Sequence, residues 1–177
     1  MAGKGSRFAE AGYAFPKPLI DIKGKTMTEV VVDNLRPSND HTFVFICLRD
    51  HYEKYDLHNI LKNATNNKFE VVVINGITEG AACTVLTAMQ YINNDDDLII
   101  ANSDQYIEIK IDDFINDARA GTKDGLIMTF EASHPKWSFA RTDSSGKVVE
   151  VAEKKVISNH ATVGIYYFRH GKDFVRA

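Results

Sequence analysis
Four short, almost unbroken apolar runs constrain this chain most: residues 42–48 (TFVFICL), 69–74 (FEVVVI), 97–101 (DLIIA) and 125–131 (GLIMTFE). A strand with one face in water alternates apolar and polar residues, whereas a strand covered on both faces has no need to. Helical spacing fills the intervals between the runs. Residues 51–63 set Tyr52, Tyr55, Leu57, Ile60 and Leu61 at helical intervals, and residues 80–92 turn Ala82, Val85, Leu86, Met89 and Ile92 inward. Residues 111–120 read as a helix opening at Asp112 or Asp113, and an earlier helix capped by Thr26 or Thr28 runs to about Leu35. Past residue 131 the rhythm changes. Residues 139–143 and 147–151 flank Ser144-Ser145-Gly146, a hairpin signal, and a strand at 162–168 and the start of a helix at 170–177 follow. The pattern predicts an α/β fold: a Rossmann-like mixed, mostly parallel sheet with helices on both faces and an antiparallel hairpin extension, in one domain over residues 1–177.

Sheets of this kind bind ligands beyond the carboxyl ends of their strands. The first candidate stretch is residues 1–19, MAGKGSRFAEAGYAFPKPL. Gly3 and Gly5 allow backbone N–H groups to turn toward an anion without a Cβ in the way. Lys4, Arg7 and Lys17 add three cations against Glu10 alone. Pro18 pushes Lys17 toward an extended backbone, so its ammonium is presented from a stiff chain. Two familiar phosphate loops are excluded by spacing. Phe8 fills the place where a dinucleotide fingerprint needs a small residue, and Gly3-Lys4-Gly5-Ser6 does not fit the P-loop.

Further candidates lie downstream. Gly80-Ala81-Ala82 opens a helix with small residues that let a flat base or ribose approach the backbone. Asp104 follows the DLIIA run, where a carboxylate beside a phosphate nest is a natural Mg²⁺ ligand. Glu153 and Lys154 follow the hairpin. The acidic run at residues 93–97 reads as a solvated turn rather than a metal site. Cys47 and Cys83 sit inside apolar patterns and read as buried thiols of a cytoplasmic protein. A net charge of −3 gives no bulk basic surface for nucleic acid, and no apolar run approaches a membrane span.

The pattern Gly-x-Gly-Ser-Arg-Phe followed by Pro-Lys-Pro-Leu resembles the signature of the sugar-phosphate nucleotidyltransferases, the NDP-sugar pyrophosphorylase family. The resemblance runs in order through the opening loop, Lys17, Gly80-Ala81-Ala82, Asp104, Glu153-Lys154 and the strand at residues 162–168. It implies a glycosyltransferase-A-like α/β fold. It implies transfer of a nucleotidyl group from an NTP to a sugar 1-phosphate with release of pyrophosphate, and Mg²⁺ as cofactor. Residue by residue, it implies that Ala2, Gly3, Gly5, Ser6, Arg7 and Lys17 surround the nucleotide, with Arg7 and Lys17 in catalytic roles on the triphosphate. Gly80, Ala81 and Ala82 would hold the nucleoside, Asp104 the Mg²⁺, Glu153 a sugar hydroxyl and Lys154 the sugar phosphate.

The resemblance breaks at both ends. The family's first strand would precede the Gly-rich loop, and a second metal-binding aspartate would follow the Tyr166-Tyr167-Phe168 strand, where Asp173 is the only aspartate. The expectation is a shortened chain with little activity by itself, with residues 1–12 unordered or with a homodimer repairing an open sheet edge. Two other readings stay open: nucleotidyl transfer to another phosphorylated acceptor such as phosphocholine, and a nucleotide-binding module without turnover. An NDP-sugar glycosyltransferase would show Asp-x-Asp, and Asn102 and Ser103 stand before Asp104 instead.

Overall fold
The computed structural model describes residues 1–2, 15–121 and 123–177. Lys17–Leu19 forms a single 3₁₀ turn. A two-stranded ribbon, β1 (Asp21–Ile22) and β2 (Lys25–Thr26), reverses through Lys23 and Gly24, both at positive φ. It leads into α1 (Met27–Asn34), where Thr26, of the two threonines that could cap, is the N-cap. The Glu29 N–H donates to Thr26 Oγ1 at 3.2 Å and the Thr26 N–H donates to Glu29 Oε2 at 2.7 Å, so two otherwise unpaired donors are satisfied reciprocally. Next come β3 (Phe43–Leu48), α2 (Arg49–Lys54), α3 (Leu57–Ala64) and β4 (Phe69–Ile74). The second half runs α4 (Ala81–Leu86), α5 (Met89–Ile92), β5 (Leu98–Ala101), α6 (Ile111–Ala120) and β6 (Gly125–Glu131). It ends with β7 (Ser138–Thr142), β8 (Val148–Glu153), β9 (His160–Phe168) and α7 (Gly171–Arg176). Among the described residues no helix is long and apolar enough to cross a membrane.

The mixed α/β sheet architecture expected of the sequence is present. β3 and β4 pair in parallel from Phe43 opposite Phe69 to Leu48 opposite Ile74. In the five-stranded sheet β9 is central: Tyr167 lies opposite Ile99 of β5 on one side and Leu126 of β6 on the other, both antiparallel. β5 and β6 therefore run in the same direction with β9 inserted between them. This insertion makes the parallel share smaller than the apolar runs suggested, with β3/β4 the one parallel pair among the described strands. β7 pairs with β8 and touches β9 at Phe139 opposite Ala161. The β7–β8 turn is built on Asp143, whose carboxylate accepts from the Ser145 and Lys147 N–H groups at 2.9 and 3.0 Å and from the Ser145 hydroxyl at 2.6 Å. Those bonds favour the charged form and hold its pKa below the ordinary carboxylate value.

Two apolar clusters form the interior. One joins Val31 of α1, Leu35 just past its end, Ile107, four α6 residues, Met128, Ile165 and Tyr167. The other joins Cys47, Leu57 and Leu61, with Met1, Leu19, Phe45 and Phe69 packed around them. The two helices predicted at 51–63 and 80–92 are each broken. Asp56 adopts φ +49° between α2 and α3. After α4, the Thr87 and Ala88 N–H groups donate to the Thr84 and Val85 carbonyls at 3.1 and 2.9 Å, a tightened i to i+3 pattern that ends the helix. The change of pitch rotates the next turn, so Ala88 and Ile92 are buried while Ala82, Leu86 and Met89 are exposed. Cys83, expected to be buried, is exposed on α4; Cys47 is fully buried, and burial pushes its thiol up to about 11. The acidic run at 93–97 is also more than a solvated turn. Asp97 accepts from the Tyr167 hydroxyl at 2.9 Å and pairs with Arg119, and Asp95 pairs with Lys172 of α7.

Candidate active site
The site is built around Lys17. Pro16 is extended, and its carbonyl accepts from the Leu19 N–H at 2.8 Å, closing the Lys17–Leu19 turn. Lys17 therefore opens a 3₁₀ turn instead of lying extended as the following proline suggested. Pro18 occupies the second position of the turn, where no N–H is required, and is buried. The stiffness expected of Pro-Lys-Pro is thus kept in a different backbone conformation. Ala2 is buried. Gly3, Gly5, Ser6 and Arg7 lie outside the described residues.

Asp104 reaches the same place from the other side of the chain. It sits in the turn after β5, and the Lys17 ammonium donates directly to its carboxylate across 87 residues of sequence. Both side chains are less than one-third exposed, at 29% for Lys17 and 28% for Asp104. Water screens such a pair less than a fully exposed one. Two residues singled out independently in the sequence, one for the triphosphate and one for the metal, are thereby brought into contact.

The backbone beneath this pair is fixed by groups that sequence reasoning missed. Thr28, buried inside α1, donates its hydroxyl to the Pro18 carbonyl at 2.8 Å. At the other end of α1 the Asn34 side chain donates to the Ile107 carbonyl and accepts from the Ile107 N–H, each at 2.8 Å. Gly164 of β9 has φ +90°, and a methyl group on it would collide with the Asn102 side chain; the Asn102 N–H donates to the Gly164 carbonyl at 3.1 Å. Helical spacing marks Thr28 and Asn34 only as α1 residues, because their partners lie 10 and 73 residues away.

The remaining predicted residues form two separate groups. Gly80 is the N-cap of α4 in extended conformation, with its carbonyl accepting from the Thr78 and Thr84 hydroxyls, each at 3.1 Å. Ala81 and Ala82 are exposed at the start of that six-residue helix. Glu153 ends β8 opposite Ser138, and Lys154 follows at φ +52°, with its N–H donating to the Trp137 carbonyl at 3.1 Å. Their side chains form an ion pair at 2.9 Å, and both are mostly exposed. Among the described residues no hydrogen bond links either group to the Lys17–Asp104 pair, and no cluster of three or more His, Cys, Asp or Glu could hold a metal by itself.

Comparisons with known proteins bear on the fold and the family. In solved structures, the nucleoside-diphosphate-sugar pyrophosphorylase of Vibrio cholerae superposes with a TM-score of 0.80 at 24% identity, covering 99% of this chain and 74% of that one. A putative glucose-1-phosphate thymidylyltransferase of Bacillus anthracis, solved with sucrose, gives 0.82 at 18% identity over 98% of this chain and 70% of that one. HddC of Yersinia pseudotuberculosis complexed with GMP-PN gives 0.67 at 20% identity, over 92% and 71%. These likenesses show the fold. The bifunctional protein GlmU of Methanocaldococcus jannaschii is 26% identical over 170 residues, which is 94% of this chain and 38% of that protein. GlmU of Methanococcus aeolicus is 24% identical over 172 residues, or 96% and 39%. The chain thus spans about two-fifths of the length of these relatives. The sequence model of the nucleotidyl transferase family matches residues 1–172, nearly the whole chain, and this protein belongs to that family.

Proposed function
We propose that this protein transfers a nucleotidyl group from an NTP to a sugar 1-phosphate, giving an NDP-sugar and pyrophosphate. The observation that carries the reading is the Lys17–Asp104 contact, a cation and a carboxylate held together at the mouth of the β5 strand. The names of the structural neighbours support it: one is named a putative glucose-1-phosphate thymidylyltransferase and another was solved with GMP-PN.

The chemistry needs no strong base, because the acceptor phosphate oxygen is already nucleophilic. The obstacle is repulsion between two anions and charge building on the leaving pyrophosphate, so positioning and electrostatic stabilisation supply the rate. Lys17 and Arg7 bind the triphosphate, and Gly80, Ala81 and Ala82 leave room for the nucleoside against the backbone. Glu153 orients the sugar through a hydroxyl and Lys154 binds its phosphate, which places cations on both reactants. Asp104 suits Mg²⁺, which takes one or two carboxylates and completes its shell with phosphate oxygens and water. Such an ion neutralises phosphate charge, and here it would be held jointly by Asp104 and the nucleotide. A screen of pyrophosphate release across NTPs and sugar 1-phosphates with Mg²⁺ tests the reading. Release that requires both substrates supports it. Release with phosphocholine but with no sugar 1-phosphate would redirect the acceptor, and nucleotide binding without release would leave a binding module.

A further inference from the structure
The Lys17–Asp104 pair cannot fix its own geometry. An ion pair with two partly exposed, flexible side chains is weakened by salt and by the entropy of holding both chains still. Something must set the two backbones at the right spacing, and α1 touches both. Near its start, the Thr28 hydroxyl holds the Pro18 carbonyl, one residue from Lys17, and the Met27 N–H holds the Ile20 carbonyl at 2.9 Å. At its end, Asn34 clamps Ile107 by both backbone groups, three residues past Asp104. Thr28 and Asn34 stand six positions apart on the helix, a span of about 9 Å. These bonds join uncharged groups and are insensitive to salt. The helix is itself anchored, since Val31 and, just past its end, Leu35 are buried in one cluster with Ile107 and α6 residues.

We infer that α1 is the strut that sets the distance between the donor-side lysine and the metal-side carboxylate, with Thr28 and Asn34 as its two positioning residues. The inference rests on the nucleotidyl-transfer reading only in taking Lys17 and Asp104 as the working pair. A hydroxyl or amide lost at either end lets one partner drift while the other stays, so the site loosens before the fold fails.

The test compares Thr28→Val and Asn34→Ala with Thr65→Val in the full chain. Thr65 is a matched control: it is buried like Thr28 and donates to a backbone carbonyl, Leu61 of its own helix, at 2.7 Å. All three variants should melt below the parent. Calorimetry with ATP, UTP, dTTP, GTP and CTP, each with Mg²⁺, should show Thr28→Val and Asn34→Ala weakening the preferred nucleotide about fivefold or more, the equivalent of one lost hydrogen bond. Thr65→Val should bind like the parent. Amide hydrogen exchange supplies a readout that needs no nucleotide. Asn34→Ala should speed exchange at Asn102, whose N–H is bonded to the Gly164 carbonyl, beyond the direct loss at Ile107, and Thr28→Val at Leu19 and Ile20, in both cases well beyond the effect of Thr65→Val. A parent that binds no nucleotide would overturn the nucleotidyl-transfer reading, and exchange alone would then decide the strut. Exchange and binding changes no larger than those of Thr65→Val would overturn the strut itself.

Discussion
The Lys17 ammonium donates to the Asp104 carboxylate, and on the proposed reading a magnesium ion would draw on that same carboxylate. The two cations compete for one carboxylate, which gives Lys17 two opposed effects. Lys17→Ala should strengthen Mg²⁺ binding in the absence of nucleotide and weaken binding of the Mg²⁺–NTP complex by roughly 10- to 100-fold, the loss of one charge-assisted hydrogen bond to phosphate. Mg²⁺ titrations with and without nucleotide measure both, and unchanged nucleotide affinity would remove Lys17 from the site. Lys17→Arg should rescue poorly, because a planar fork does not replace a point charge. Asp104→Asn should make NTP affinity independent of Mg²⁺; a parent whose affinity is already independent of the ion would reduce Asp104 to a turn residue. The cysteines report separately. Cys83 is exposed one residue past Ala82, so a maleimide should label it in the native protein and spare Cys47, and nucleotide bound at Gly80–Ala82 should slow that labelling. Burial raises the Cys47 thiol from 9.0 to about 11. The unfolded chain therefore loses this proton first, and the contribution is complete below pH 9 and lost as pH rises to 11. Denaturant unfolding between pH 8 and 11 should show Cys47→Ala losing less stability than the parent, by up to about 2–3 kcal/mol. Parallel pH profiles would contradict the assignment.

At the level of elements, what was legible follows from the range of the forces involved. Strands β3, β4 and β6 and helix α6 fall almost where the apolar runs and helical spacing put them, because each buries a continuous run or a regular face of its own. The breaks at Asp56 and Thr87 were not legible, since Tyr52 to Leu61 and Ala82 to Ile92 keep helical spacing straight through them. Periodicity records which residues are apolar and not whether the backbone changes pitch between them. The site divides the same way. Lys17 could be singled out by its flanking prolines and Asp104 by its place after a strand, and the structure brings these two together; Gly80 and Glu153-Lys154 were singled out through the family resemblance and lie in separate groups. Thr28, Asn34 and Gly164 were not singled out, because each acts through a partner distant in sequence. Gly164 makes a direct prediction. Its backbone is at φ +90°, and a Cβ would press on the Asn102 amide two residues before Asp104. Gly164→Ala should lower stability by about 1–3 kcal/mol and should weaken Mg²⁺-dependent nucleotide binding as Asn102 shifts. A variant as stable as the parent would mean that β9 accommodates the methyl group without strain.

For the whole molecule, apart from the β1–β2 ribbon, the described strands fall into two sheets that share no ladder hydrogen bonds: β3–β4 in one, and β5, β6, β7, β8 and β9 in the other. Each has its own apolar cluster. Cys47, Leu57 and Leu61 lie under β3–β4, and Tyr167, Ile165, Met128 and the α6 residues lie under the larger sheet. The described links between them run through helices and side chains: α1 packs on α3, and the Arg36 guanidinium donates to the Ala64 carbonyl. Cooperative opening follows shared packing and shared ladders, so regions with separate cores open with separate free energies. The unit from β3 to β4 has a parallel pair of only two described strands and the smaller set of buried residues, so it should be the first to open. Native-state hydrogen exchange should give the amides at residues 43–48 and 69–74 a lower opening free energy than those of β9. Leu61→Ala tests the division sharply. Leu61 is fully buried, and its truncation removes apolar contacts worth about 2–5 kcal/mol. If the cores are separate, that loss should appear as faster exchange in β3, α3 and β4, with β9 and α6 protected as in the parent until global unfolding. Equal loss of protection in β9 would show that the two clusters unfold as one, and that the contact between α1 and α3 transmits what the sheets do not.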